Sequence, residues 1–184
     1  LGIARDGYTD QLTTLGQDEQ YSNLAFFPLI PGLLWVFDAI GINPFFALLV
    51  VSHLAALVAL VGFRALAADR MSAAQANLAT WCFALFPSTL AASMAYTEAI
   101  TLALTITAAW FATRGRWVPA ALFAGVVTLA RPTGFLAALL VGLIAWRSPG
   151  KRTLRRGFFT GLPGLLAMSG FLLFMMLGRG SATA

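Results

Sequence analysis

Residues 45–68, FFALLVVSHLAALVALVGFRALAA, open just after the helix breaker Pro44 and close at Asp69 and Arg70. A helix needs about 20 consecutive apolar residues to cross the hydrocarbon core of a bilayer, and this run exceeds that length. Arg64 lies close enough to its end for the long side chain to snorkel to the interface. His53 stands in its middle. A lone histidine there is read as hydrogen-bonded to a neighbouring helix; a proton relay or a metal ligand is the other reading, but no Cys, His or carboxylate cluster exists to complete a metal site.

Working outward, further apolar runs cover about 75–92, 97–113, 117–130, 132–146 and 157–178. The shorter ones can span only if their ends snorkel or the bilayer thins locally. Residues 24–40 are apolar but broken by Pro28, Pro31, Gly32 and Asp38, which favours a juxtamembrane or re-entrant helix over a crossing one. Residues 1–23 read as a polar loop, with a short helix ending at Gly7. The expected fold is all-α: a polytopic transmembrane helical bundle of about six spans plus a juxtamembrane helix. Residues 1–41 form an extracytoplasmic loop segment and 42–180 the helical domain.

Composition agrees. Hydrophobic residues make up 59% of the 184-residue chain and charged residues 10%, where a soluble domain carries about 25% charge. The net charge of +5 does not indicate nucleic acid, because the twelve basic residues are scattered or sit between apolar runs and form no single basic face. Cys82, alone in an apolar run, reads as packing. No signal peptide is visible at the start. The chain opens at Leu1 without Met and closes on small residues, so it reads as a fragment.

Orientation follows from the basic residues. Arg64 and Arg70, then Arg114 and Arg116, then Arg147, Lys151, Arg152, Arg155 and Arg156 fall in alternate connections, which should be cytoplasmic. Trp110, Trp117 and Trp146 stand beside them as an interfacial belt would. The connections around 41–44, 93–98 and 131–134 then face the other side, together with the acidic N-terminal loop.

Two isolated charges, Glu98 and Arg131, come out on that second face. A charge at membrane depth costs about 2.5–3.5 kcal/mol on insertion scales unless it pairs or meets a wet cavity, so the choice lies between a functional site and a mutual ion pair. The stretch Leu129-Ala-Arg-Pro-Thr-Gly134 reads as a helix break: Pro132 removes a donor, Gly134 permits close backbone approach to a ligand, and Arg131 sits at a helix end beside free amides, where an anion is favoured. The alternative is an interfacial arginine anchoring a hairpin. Phe86-Pro-Ser88 followed by Tyr96-Thr-Glu98 ends one helix and starts another, with Thr97 able to cap it and Tyr96 facing the same rim. Gly157 and Gly161 have the spacing of a close helix contact.

Taken in order, Leu1-Gly-Ile-Ala-Arg-Asp-Gly-Tyr8, Asn23-Leu-Ala-Phe-Phe-Pro-Leu-Ile-Pro31, Phe86-Pro-Ser88 with Tyr96-Thr-Glu98, Gly115-Arg-Trp117 and Ala130-Arg-Pro-Thr-Gly134 resemble the PIG-V type mannosyltransferases of the GT-C membrane glycosyltransferases. The resemblance runs from Leu1 to about Gly134. It implies an inverting transferase that moves a hexose, typically mannose, from a polyprenyl or dolichyl phosphate carrier to an acceptor on the extracytoplasmic or lumenal face. Such a protein is multi-pass, in the plasma membrane of a bacterium or the endoplasmic reticulum of a eukaryote. The family's catalytic carboxylate lies in a Trp-Asp motif before the stretch matching Leu1 to Tyr8, so the true base is expected upstream of Leu1. Asp6 is the nearest carboxylate within the chain, and Asp10 the next. Arg131 would stabilise the leaving lipid phosphate, and Glu98 and Tyr96 would line the pocket. The donor is the lipid-phosphate-linked sugar, the other partners are membrane lipids and an acceptor of unspecified kind, and no cofactor or metal ligand set is assigned. The rival reading is a membrane transporter with Arg131 and Glu98 in its substrate path.

Overall fold

The computed structural model describes residues 13–14, 20–21, 27–86, 97–148 and 153–181. Among them the chain is all-helical apart from one small antiparallel pair, β1 (Thr13–Thr14) with β2 (Gln20–Tyr21), in the N-terminal stretch read from sequence as a loop. The expected short helix ending at Gly7 lies outside the described residues. Seven α-helices follow among the described residues: α1 Leu29–Ala39, α2 Pro44–Ala68, α3 Ala73–Ala84, α4 Thr97–Thr113, α5 Trp117–Thr128, α6 Phe135–Arg147 and α7 Thr153–Ser181, with a 3-10 turn over Pro132–Gly134.

Local chemistry sets the boundaries. Asn43 accepts from the Phe45 and Phe46 amides, both at 3.1 Å, and Pro44 takes the first helical position, where its missing N–H costs nothing. Ser72 and Gln75 form a reciprocal capping box at the start of α3. Helices α1 and α4 end alike. The Ile42 amide bonds the Phe37 carbonyl around Gly41 (φ +75°), and the Arg116 amide bonds the Phe111 carbonyl around Gly115 (φ +70°). These are Schellman endings, which place a residue in the left-handed region that glycine occupies without penalty.

Among the described residues two helices are long and apolar enough to cross a membrane. These are α2, with mean hydropathy 2.5, and the Leu154–Leu177 part of α7, with mean hydropathy 1.8. Only 22% and 17% of their most apolar windows is buried, which separates them from the core helix of a soluble protein. The packed interior is built from small residues instead: Ala108, Ala112, Ala120, Ala124 and Ala138 meet Val141, while Leu54, Leu57, Trp81, Val118, Leu122, Leu166 and Leu173 point outward. Small residues let helix backbones approach closely. On α7, the backbone at Gly157 comes within contact of the Gly142 carbonyl and Gly161 lies over the Ala138 carbonyl, so the spaced glycines are the helix contact their spacing indicated.

The bundle has two chemically distinct ends. Ile106 packs on Gly62, and Arg114 pairs with Asp69 at 3.3 Å, so α2 and α4 run parallel in a constant register. The arginine-bearing connections gather at that end. Arg114 lies 4.1 Å from the Trp110 ring centroid, Arg156 lies 5.2 Å from that of Trp117, and Trp146 abuts Gly157. At the other end the Leu29 amide bonds the Leu129 carbonyl at 3.0 Å, and Phe27 meets Phe171 with centroids 4.4 Å apart. Helix α1 begins here and its far end leads directly into the start of α2, so both its termini belong to this end.

Some details depart from the sequence reading. Arg64 donates from Nε to Asn77 at 2.7 Å instead of snorkelling unaided. His53 Nδ1 lies 2.8 Å from the Leu49 carbonyl of its own helix and, among the described residues, bonds no neighbouring helix, because the face it occupies is exposed. Cys82 is exposed on α3, so it does not pack in a core. Helix α3 is described to Ala84, so the 87–92 part of its expected range lies outside the described residues.

Candidate functional site

The helix break after α5 builds the site. Pro132 disfavours helical geometry at the residue before it, and Arg131 is extended (φ −154°, ψ 152°). The Gly134 amide then bonds the Arg131 carbonyl at 2.9 Å, and the Phe135 amide closes the turn onto Pro132. These amides are therefore engaged by the turn, and do not stand free beside Arg131 as the sequence implied. Gly134 is also explained differently. A Cβ there would collide with the carbonyl oxygen of Val127 and lie 2.6 Å from its carbon and 2.8 Å from Thr128 Cα. The close approach it permits is to the chain's own backbone.

Extended at this break, Arg131 reaches the first turn of α4. Its Nη1 lies 2.5 Å from Glu98 Oε1, joining the two charges the sequence left isolated. A carboxylate in a first helical turn is favoured by the helix dipole as well as by the guanidinium. The pair is not closed off: the side chains of Arg131 and Glu98 are 40% and 34% exposed. Arg131 carries five N–H donors and, among the described residues, Glu98 engages one nitrogen, which leaves most of the donor set to an added anion. Glu98 Oε2 is buried and has no hydrogen-bond partner among the described residues. A second such atom is Ser52 Oγ, on a fully buried side chain. The parallel register of α2 and α4 sets Ser52 level with the start of α4, near Glu98.

Searches against protein-family models, curated proteins and solved structures gave no match.

Of the residues singled out from sequence, the structure brings together Arg131 and Glu98. Asp6 and Asp10 lie outside the described residues, and so does Tyr96. Thr97 is itself the first residue of α4, so it is not the residue that caps it. Among the described residues no group of three His, Cys, Asp or Glu side chains could hold a metal ion. Ser52 was missed by the sequence reading; the available signal was its helical spacing from Leu48 and Ala59, which are buried on the same face. The docking of the α1 start onto Leu129 was missed too, since a bond between main-chain atoms leaves no trace in residue identity.

Proposed function

We propose that the chain belongs to a membrane glycosyltransferase that takes a hexose, typically mannose, from a polyprenyl or dolichyl phosphate and passes it to an acceptor at the Arg131 end of the bundle. One observation carries the reading. A helix break presents an arginine whose donors are only partly engaged, at the end of an apolar bundle where a lipid-borne phosphate would arrive.

In this reading α2–α7 are six crossings. At 1.5 Å per residue, α2 and α7 are about 37 and 43 Å long and α4 about 26 Å, whereas α3, α5 and α6 lean on the flanking tryptophans and arginines to reach the interface. Helix α1 lies along the outer surface. The excess of arginine at one end marks that end as cytoplasmic, so Arg131 and Glu98 face the extracytoplasmic or lumenal side.

The chemistry is an inverting substitution. The acceptor hydroxyl oxygen bonds to the sugar's C1 from one face as the bond from C1 to the phosphate oxygen breaks on the other. The electron pair leaves with the lipid phosphate, and Arg131 meets the negative charge that grows there. Glu98 holds the guanidinium in place. The acceptor's proton goes to a carboxylate, expected before Leu1, with Asp6 the nearest in this chain. Against the transporter reading stands the position of the pair, at the ends of α4 and α5, where alternating-access sites lie near mid-length.

The test is Arg131→Ala against Arg131→Lys in the full-length protein, measuring transfer from a polyprenyl phosphate sugar at limiting donor. Loss of a charge-stabilising donor predicts a fall of about 100- to 1,000-fold, with partial retention by lysine. Unchanged turnover of Arg131→Ala would remove the phosphate role.

A further inference from the structure

At the arginine-marked end, away from Arg131, a groove opens between α5 and α7. Its cavity of about 300 Å³ is walled by Trp117, Val118 and Leu122 on one side and by Phe159 and Pro163 on the other, with Arg156 at its mouth. The Arg156 guanidinium lies over the Trp117 ring, 5.2 Å from the centroid, so an aromatic wall of the groove holds this cation, and the guanidinium of Arg155 lies 5.5 Å from the centroid of the Phe159 ring. Arg116, exposed at the residue before Trp117 and outside the lining itself, adds a third positive charge at this end of the bundle. None of the described residues lining the groove is acidic. The pattern is a cationic mouth leading into apolar walls over about two helical turns.

That charge distribution complements an amphiphile with an anionic head and an alkyl tail. We propose that the groove holds an anionic phospholipid of the adjoining leaflet, its phosphate between Arg116 and Arg156 and an acyl chain along Val118, Leu122 and Phe159. Basic pockets between membrane helices on the cytoplasmic side recognise anionic headgroups in this way. A free phosphate would use the rim but leave the walls unmatched. The larger groove of about 400 Å³ on the other flank of α7, walled by Leu139, Leu143 and Leu154, has no charged residue among the described residues of its lining and provides a control. The inference rests on the bundle sitting in a bilayer but not on sugar transfer, so an inactive transferase would leave it standing.

The experiment is native mass spectrometry of the full-length protein in neutral detergent, titrated with phosphatidylglycerol or with phosphatidylcholine carrying identical chains. Phosphatidylglycerol should bind at least tenfold more tightly. The Arg116→Gln/Arg156→Gln variant should weaken it about 25-fold, fivefold per arginine or about 1 kcal/mol each, without changing phosphatidylcholine binding. Leu122→Trp, which fills the groove, should abolish retention, whereas Leu143→Trp in the control groove should not. If Leu122→Trp fails to fold, the arginine variant, altered at the rim, decides the question. Equal binding of the two lipids, an unaltered preference in the arginine variant, or full displacement by millimolar inorganic phosphate would each overturn the proposal.

Discussion

Replacing Gly134 by alanine sets two physical effects in opposition. Gly134 has φ −59° and ψ −25°, ordinary right-handed geometry, and it stands immediately before α6. From conformational entropy alone, Gly134→Ala should stabilise the fold by about 0.4–1 kcal/mol. Packing says the reverse. The new methyl would collide with the Val127 carbonyl oxygen and sit 2.6 Å from the Val127 carbon and 2.8 Å from Thr128 Cα. All three are main-chain atoms in the last turn of α5, and Thr128 is fully buried, so no rotamer change can make room. Either the turn or the end of α5 must move. Overpacking against a core costs about 1–3 kcal/mol, and a main-chain collision belongs at the top of that range, leaving a net loss of about 2 kcal/mol after the entropic gain. For a chain of this size that lowers Tm by roughly 4–8 °C. The same displacement carries Arg131 away from Glu98, so under the proposed function use of a lipid-phosphate donor should fall with it. The assay is thermal unfolding of the full-length protein in detergent, beside Gly170→Ala, whose added methyl meets nothing within 4 Å. Gly170→Ala should be neutral or slightly stabilising. A Gly134→Ala protein as stable as the parent would refute the claim that backbone contact fixes this turn.

Further expectations follow from other contacts. Gly164→Ala should destabilise by about 1–3 kcal/mol in the same assay, because its methyl would collide with Ala138 Cβ and crowd Thr128 Oγ1 at 3.2 Å. A double-mutant cycle with Glu98→Gln and Arg131→Gln should give a coupling of about 1 kcal/mol, reduced from that of a buried charged hydrogen bond because more than a third of the Arg131 side chain is exposed; additive single effects would dissolve the pair. Asp69→Asn should cost less than about 1 kcal/mol and matter less at high salt, since Asp69 and Arg114 are 43% and 34% exposed at their 3.3 Å separation. Single cysteines at Thr113 and Thr133, in a variant lacking Cys82, should react with impermeant reagents from opposite sides of a sealed vesicle. Labelling of both from one side would overturn the crossing of α5.

The helix order was readable because apolar length and the breakers Pro44, Gly115 and Pro132 act locally. The meeting of Arg131 with Glu98 was readable for a different reason. Counting alternate arginine-bearing loops puts both charges at one end, and an unpaired charge there is costly, so proximity and cost together make a pair the economical outcome. Neither argument reaches the contents of the turn. Gly134 and Thr128 meet through main-chain atoms, and the engagement of the Gly134 amide by the Arg131 carbonyl is a matter of dihedral angles. The same holds for His53: residue identity reveals a polar group in an apolar helix, but its acceptor, the Leu49 carbonyl, is the main chain of its own helix.

Which face of each helix turns inward was the largest gap, and its cause is the solvent. In water, burial sorts polar from apolar residues, so periodicity reveals the inner face. A helix apolar on every side, packed among others of its kind, shows no such contrast. What sorts its faces is size, because close backbone approach gains dispersion energy only where side chains are small. Ala99, Ala103, Ala108 and Ala112 recur along α4 at near-helical spacing and all are buried, while Leu102 beside them is exposed. The stripe was present in the sequence, written in side-chain volume and not in hydropathy. Read that way, Ala47, Ser52 and Ala59 mark the inner face of α2, and Ser52 falls on it as the one polar member, one helical level from Glu98.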